Sequence, residues 1–230
     1  MIKFQNVTKI FETQKKQKIF ALKNVSFEIK AGEFVVIIGR SGSGKTTLMK
    51  LILVEEKPTE GKVFFEDKDL TKMKEGDILR LRRKIGTVFQ DYKLLPTKTV
   101  YENLAYVMEV TGFSDKEIKE DIPKVLELVG LSDKFQNFPQ ELSAGEKQKL
   151  SIARALISRP KVILADEPTG NLDPYTTLDI IKIFKTINEM GTTIILTTHN
   201  REVVKSLKKR VIALDQGEMV RDTQKGKFIL

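Results

Sequence analysis

The run Gly39-Arg40-Ser41-Gly42-Ser43-Gly44-Lys45-Thr46 places glycines, hydroxyls and a lysine at the spacing of a phosphate-binding loop. Glycines let successive backbone N–H groups turn inward around phosphate oxygens, and a helix starting there adds partial positive charge. Lys45 can reach terminal phosphates, Thr46 offers a hydroxyl to Mg2+, and Ser41, Ser43 and Thr47 add polar groups to the same cradle. A ligand-free glycine turn has no need of lysine and hydroxyl together at these positions. The second signal is Val162-Ile163-Leu164-Ala165-Asp166-Glu167, an apolar run ending in adjacent carboxylates. Burying such a pair is costly unless a metal or a reaction uses it. Asp166 suits Mg2+, through water, and Glu167 suits polarising a water for attack on a γ-phosphate. The bland alternative is a solvated acidic turn, since Pro168-Thr169-Gly170 follows.

These side chains need elements to hold them. Apolar runs at residues 34–38, 85–89, 162–165, 193–197 and 211–214 predict buried parallel strands alternating with helices, an α/β fold. In open parallel sheets, ligands sit beyond the carboxyl ends of the strands. Gly39, Gln90, Asp166 and the sole histidine, His199, each follow a strand at that edge. An isolated histidine is more often structural than catalytic. At this edge, though, His199 could donate to the γ-phosphate, and Gln90 could touch both the metal and the attacking water. Residues 3–7 and 22–29 alternate apolar and polar, as half-exposed antiparallel strands do, with a turn over 13–18. A helix is expected over 47–53 after the phosphate loop. Between 91 and 160 helical spacing replaces the strand signal, at 100–110, 116–129 and 146–157.

Composition sets outer bounds. The chain has 230 residues, 40% hydrophobic and 31% charged, which fits one domain, and no stretch approaches the roughly 18 apolar residues of a membrane span. The first residues lack the apolar core of a secretory signal, so the chain is expected to stay where it is made. With Cys 0, disulfides, zinc-thiolate sites and cysteine nucleophiles are excluded. The net charge of +9 favours contact with phosphates, nucleic acid or an anionic surface, but the basic residues at Lys15-Lys16, 80–84 and 205–210 read as solvated faces without a nucleic-acid motif.

Leu142-Ser143-Ala144-Gly145-Glu146-Lys147-Gln148 resembles the signature sequence of ABC ATPases. The phosphate loop, Gln90, the signature, Asp166-Glu167, Asn171-Leu172-Asp173 and His199 stand in that family's order along almost the whole chain. The resemblance implies a P-loop NTPase core of RecA-like type with a mostly parallel sheet, an antiparallel β subdomain and an inserted helical subdomain. It implies a single domain over 1–230, with 1–90 and 161–230 as the ATP-binding core and 91–160 as the helical part. ATP and Mg2+ are the implied ligands, with Thr46, Gln90 and Asp166 toward the metal and Glu167, His199 and Gln90 toward catalysis. It further implies an ATP-dependent, head-to-tail homodimer in which Ser143 and Gly145 of one copy cover the γ-phosphate held by Lys45 of the other, with Asp173 among the nucleotide-binding residues. Phe11 aligns with the adenine-stacking aromatic, with Phe20 close by and a plain core role as the alternative. Ala144 stands where the family has glycine; if that residue needs positive φ or close approach to phosphate, alanine slows hydrolysis.

Val88-Phe89-Gln90-Asp91-Tyr92-Lys93-Leu94-Leu95-Pro96 and its continuation to Asn103 resemble the cell-division branch of these ATPases, as does Gly217-Glu218-Met219-Val220-Arg221-Asp222. That implies a transmembrane partner whose helix enters a groove beside this segment, and a peripheral place on the cytoplasmic membrane face. Lipoprotein-release and macrolide-export ATPases share the Leu94-Leu95-Pro96 segment and are the alternative. No nucleic-acid partner is expected: such family members carry long coiled coils or a second cassette, which this length does not hold. A scaffold without hydrolysis conflicts with Glu167 and His199.

Overall fold

A computed structural model describes residues 1–14 and 16–224. Lys15 of the Lys15-Lys16 pair and positions 225–230 of the expected core lie outside the described residues. The chain begins with β1 (Ile2–Glu12), β2 (Lys18–Ile29), β3 (Phe34–Ile38), α1 (Lys45–Ile52), β4 (Glu60–Phe65) and β5 (Lys68–Asp69). It continues with α2 (Glu75–Arg82), β6 (Ile85–Val88), α3 (Val100–Thr111), α4 (Asp115–Val129), α5 (Ala144–Leu156) and β7 (Val162–Asp166). It ends with α6 (Pro174–Glu189), β8 (Thr193–Thr198), α7 (Arg201–Leu207), β9 (Arg210–Asp215) and β10 (Glu218–Thr223).

The six-stranded sheet runs β10-β9-β3-β8-β7-β6, parallel except for the β9–β10 hairpin. Every residue of β3 and β8 is buried, as their unbroken apolar or threonine runs require between two covered faces. The alternation of the pleat then sorts β3: Val36 and Ile38 face one core with α3 to α6, and Val35 and Ile37 face the other with α1 and the second sheet. That second sheet, β2-β1-β4-β5, is antiparallel. The helical segment between β6 and β7 shares its core with the main sheet: Ile118, Ile122 and Leu126 of α4 belong to the same buried cluster as Leu150 of α5 and Val36 of β3.

Helix ends explain how the segment holds its angles. Thr99 and Ser114 each cap their helix through the N3 backbone N–H while Glu102 and Glu117 reach back to the cap, and Gly112 and Gly130 end the helices at φ 93° and 69°. Among the described residues no helix is long and apolar enough to cross a membrane.

Candidate active site at the carboxyl edge of the sheet

The strand order puts the ends of β3, β8, β7 and β6 side by side, and each releases a candidate residue at one edge. A cavity of about 1110 Å³ lies there, lined by Gly39, Ser41, Gly42, Gly44, Lys45, Thr46, Thr47, Gln90, Asp166, Glu167 and His199 among others. The structure therefore brings those sequence-selected residues to one place.

The phosphate loop is shaped by glycines where a side chain cannot fit. A methyl on Gly39 would lie 2.2 Å from Ser43 Oγ, and Gly44 combines φ 106° with an approach that would put a methyl 2.5 Å from Ala21 O. Gly44 is also the N-cap of α1, so the helix starts at Lys45 rather than at 47 as the sequence pattern predicts. The early start points the first free N–H groups of α1 at the loop. Lys45 is buried, and its Nζ donates to Gly39 O at 2.9 Å and Arg40 O at 3.1 Å inside the loop. Ser43 Oγ is buried with no partner. A buried hydroxyl without a bond is costly, and an oxygen-rich anion in the loop would satisfy it.

Thr46 Oγ1 stands 3.2 Å from Asp166 Oδ2, while Asp166 Oδ1 accepts from Thr197 Oγ1 at 2.6 Å. No group of three or more acidic or histidine side chains able to hold a metal occurs among the described residues. Thr46 and Asp166 thus offer a sparse oxygen set, which fits a Mg2+ that keeps its waters and takes other ligands from phosphates. Glu167 follows at φ 47°, its N–H donating to Thr197 O and Oγ1, and this left-handed turn swings its side chain away from Asp166. Glu167 Oε1 lies 3.0 Å from His199 Nδ1 and 3.7 Å from Lys45 Nζ, and Oε2 accepts from the His199 N–H. Gln90 donates to Asn171 Oδ1 at 3.3 Å.

Ser143, Gly145 and Asp173 do not line this cavity. Ser143 caps α5, with its Oγ accepting from Glu146 N–H, and its own N–H donates to Glu146, whose carboxyl is thereby held below the ordinary range. Asp173 caps α6, and hydrogen bonds from the Thr176 hydroxyl and N–H, then the Tyr175 N–H, lower its carboxyl likewise. Ala144 is the first residue of α5 and is not among the positive-φ residues. The expectation of a positive φ at that position is corrected: a helical first turn accepts alanine at no backbone cost. Phe11 is not part of the cavity wall either. It pairs with Ile19 in the β1–β2 ladder and carries Lys9 Nζ 4.7 Å above its ring, whereas Ile19 and Phe20 line the wall.

Some functional neighbours escaped sequence reasoning. Thr197 holds both Asp166 and the Glu167 N–H from the neighbouring strand, and Asn171 holds Gln90. Asn171 had a signal, lying in the quoted Asn171-Leu172-Asp173 motif; a buried strand threonine such as Thr197 had none.

The comparisons agree with this geometry. The ABC transporter family profile matches residues 22–170. The cell division ATP-binding protein FtsE of Bacillus subtilis (strain 168) is 47% identical over 228 residues, 99% of this chain and 98% of its own. The methionine import ATP-binding protein MetN of Haemophilus influenzae (strain 86-028NP) is 46% identical over 229 residues, 99% of this chain and 66% of its own. A dimeric post-hydrolysis state of the ATP-binding cassette MJ0796, bound to ADP and Pi, superposes with TM-score 0.88 at 38% identity, covering 97% of this chain and 98% of that one. The chain belongs to the ABC transporter family, as one of its ATP-hydrolysing domains.

Proposed function

We propose that this ATPase works as an ATP-dependent, head-to-tail homodimer on the cytoplasmic face of a membrane, driving an FtsX-like transmembrane subunit in cell division and the control of cell-wall hydrolases. The observation that carries the dimer is the separation of Ser143 and Gly145 from the cavity lined by Lys45, Glu167 and His199. A second copy supplies what the cavity lacks, by laying the N-terminus of its α5 on the γ-phosphate. The cell-division assignment rests on FtsE relatives at 46–49% identity from Bacillus, Streptococcus and Mycobacterium.

Within each cavity, ATP enters with its phosphates on the loop, and the Lys45 ammonium exchanges the Gly39 and Arg40 carbonyls for phosphate oxygens. Thr46 and Asp166, with Gln90 at the edge, would hold Mg2+, which would supply neutralisation of phosphate charge. Phe11, or Phe20 on the facing strand, stacks on the adenine. Glu167 takes a proton from the attacking water as its oxygen bonds to the γ-phosphorus. The bond to the bridging oxygen then breaks, leaving ADP and phosphate. His199 orients Glu167 and donates to the γ-phosphate; Asp173 of the second copy contributes from across the interface.

Methionine import is the second reading, carried by the MetN relatives at similar identity. The Glu167→Gln protein, purified with ATP and Mg2+ from native membranes, decides between them through the membrane protein that accompanies it. An FtsX-like subunit supports the proposal. A solute-import, lipoprotein-release or macrolide-export permease overturns the cell-division part and leaves the ATPase chemistry standing.

A further inference from the structure

The starts of α3, α4 and α5 share one reciprocal cap, made by Thr99 with Glu102, Ser114 with Glu117 and Ser143 with Glu146. Only the start of α5 has a further task. A helix start presents four backbone N–H groups that the helix itself cannot bond. At α5 the Ser143 N–H donates to Glu146 Oε2 at 2.8 Å, and the Glu146 N–H donates to Ser143 Oγ at 3.2 Å. That leaves the N–H groups of Ala144 and Gly145, with the Ser143 hydroxyl hydrogen, for an acceptor from outside. On the head-to-tail reading that acceptor is the γ-phosphate of the neighbouring copy, yet an anion already sits on this end. The bonds from Ser143 hold the Glu146 carboxyl below its ordinary range, so it is charged when the phosphate arrives. A carboxylate and a phosphate oxygen cannot both take the Ser143 N–H, and like charges within one helical turn repel. The carboxylate has another place to go. Glu146 is half-buried, and the charges of Lys134 and Lys149 lower its carboxyl further. Lys149 stands three residues along α5, the spacing at which side chains on a helix meet.

We propose that Glu146 is a displaceable stopper on the start of α5: its carboxylate holds the Ser143 N–H in the free subunit, and the neighbour's γ-phosphate drives it off, onto Lys149, as the dimer closes. The inference rests on the head-to-tail dimer of the proposed function and adds the residue that sets how much ATP closure requires. Glu146 is thus a positioning residue, acting through the donors of the Ser143 turn. Glu102 and Glu117 make the same cap with no such consequence, because no phosphate is assigned to the starts of α3 and α4. Each dimer contains the contact twice, so the effect of one side chain on closure is counted twice.

The test titrates the full chain with ATP at fixed Mg2+ in the Glu167→Gln background, where hydrolysis does not consume the ligand, and follows dimer formation by light scattering. Adding Glu146→Gln keeps the cap, since glutamine also completes it, and removes the charge. The ATP concentration at half-maximal dimer should fall at least ~5-fold, with an unchanged melting temperature. Glu117→Gln, the same change at α4, should leave that concentration where it is. Lys149→Gln takes away the alternative partner and should raise it, but should be silent once Glu146 is already Gln, because the two act on one switch. An unchanged half-point for Glu146→Gln, an equal shift for Glu117→Gln, or a Lys149→Gln effect that persists without the Glu146 carboxylate overturns the proposal and leaves the dimer standing. A Glu167→Gln chain that stays monomeric at saturating ATP refutes the dimer itself, and the inference falls with it.

Discussion

A methyl group on Gly145 would lie 2.5 Å from Thr176 Cγ2, so the first turn of α5 meets the first turn of α6 with no room for a side chain between them. Both turns carry residues assigned to the neighbouring copy's nucleotide, Ser143 through α5 and Asp173 through α6. Gly145→Ala is therefore expected to push the two helix starts apart and lower ATP turnover at least ~10-fold, as overpacking by one methyl costs about 1–3 kcal/mol. Thr176→Ser removes the atom that clashes while keeping the hydroxyl that bonds Asp173. Adding it to Gly145→Ala should recover most of the turnover. A double variant as slow as the single one would mean that Gly145 is needed for contact with phosphate and not for packing.

Ala144 leads to a different expectation from its neighbour. It starts α5, is exposed and is free of positive φ, so glycine there gains no conformational freedom that the fold needs. Ala144→Gly should lower the melting temperature slightly, since glycine costs about 0.5–1 kcal/mol against alanine inside a helix. Steady-state ATP hydrolysis should stay within about twofold. A rise of tenfold would show that the alanine methyl obstructs the closed dimer.

The different surroundings of the adjacent Ala144 and Gly145 show what kinds of information the sequence held. Residues 39–46 could be read because phosphate binding demands a fixed order of residue types, and β3, β7 and β8 because burial on both faces demands unbroken apolar runs. The conformation at Ala144 could not, because the family's glycine there suggests a freedom that the helix start does not use. β4 begins Glu60-Gly61-Lys62 and becomes a strand by pairing with β1, in register from Thr8 opposite Glu60 to Ile2 opposite Phe65, which no local pattern reports. α2, Glu75-Gly76-Asp77-Ile78-Leu79-Arg80-Leu81-Arg82, buries only Leu81 among its residues and so lacks an apolar stripe. The place of Phe11 against Phe20 was equally hidden, since both lie on facing strands of one ladder and only the cavity wall distinguishes them.

Glu66 joins the antiparallel sheet to the main one. Its carboxylate bonds Lys161 and Lys84, and these bonds, Lys161 first, hold its carboxyl below the ordinary value of 4.5. A carboxyl lowered in the folded state adds stability above its unfolded value and loses it as the pH falls through the folded one. Glu66→Gln should therefore cost up to about 1 kcal/mol at pH 7, with both lysines partly exposed. The gap between variant and parent should narrow below pH 4.5 and close once the folded-state carboxyl is protonated. Urea titrations at pH 7 and pH 3 check this, and an equal gap at both would assign the effect to packing rather than charge.

Glu167 and His199 are the closest pair of candidate catalytic groups, with Oε1 3.0 Å from Nδ1 and the His199 N–H on Oε2. Both contacts fix the carboxylate, so part of what His199 contributes passes through Glu167. Glu167→Gln should lower hydrolysis at least ~100-fold, the usual range for a lost general base, while ATP affinity stays within about threefold because Lys45 and the loop amides remain. His199→Ala should also lower hydrolysis. Residues that act as one unit are strongly non-additive, so the double variant should fall no more than about threefold below Glu167→Gln alone. Single-turnover assays on the three variants separate the chemistry from product release. Fully multiplicative losses would mean that His199 acts on the γ-phosphate independently of Glu167, and the contact between them would then be incidental to catalysis.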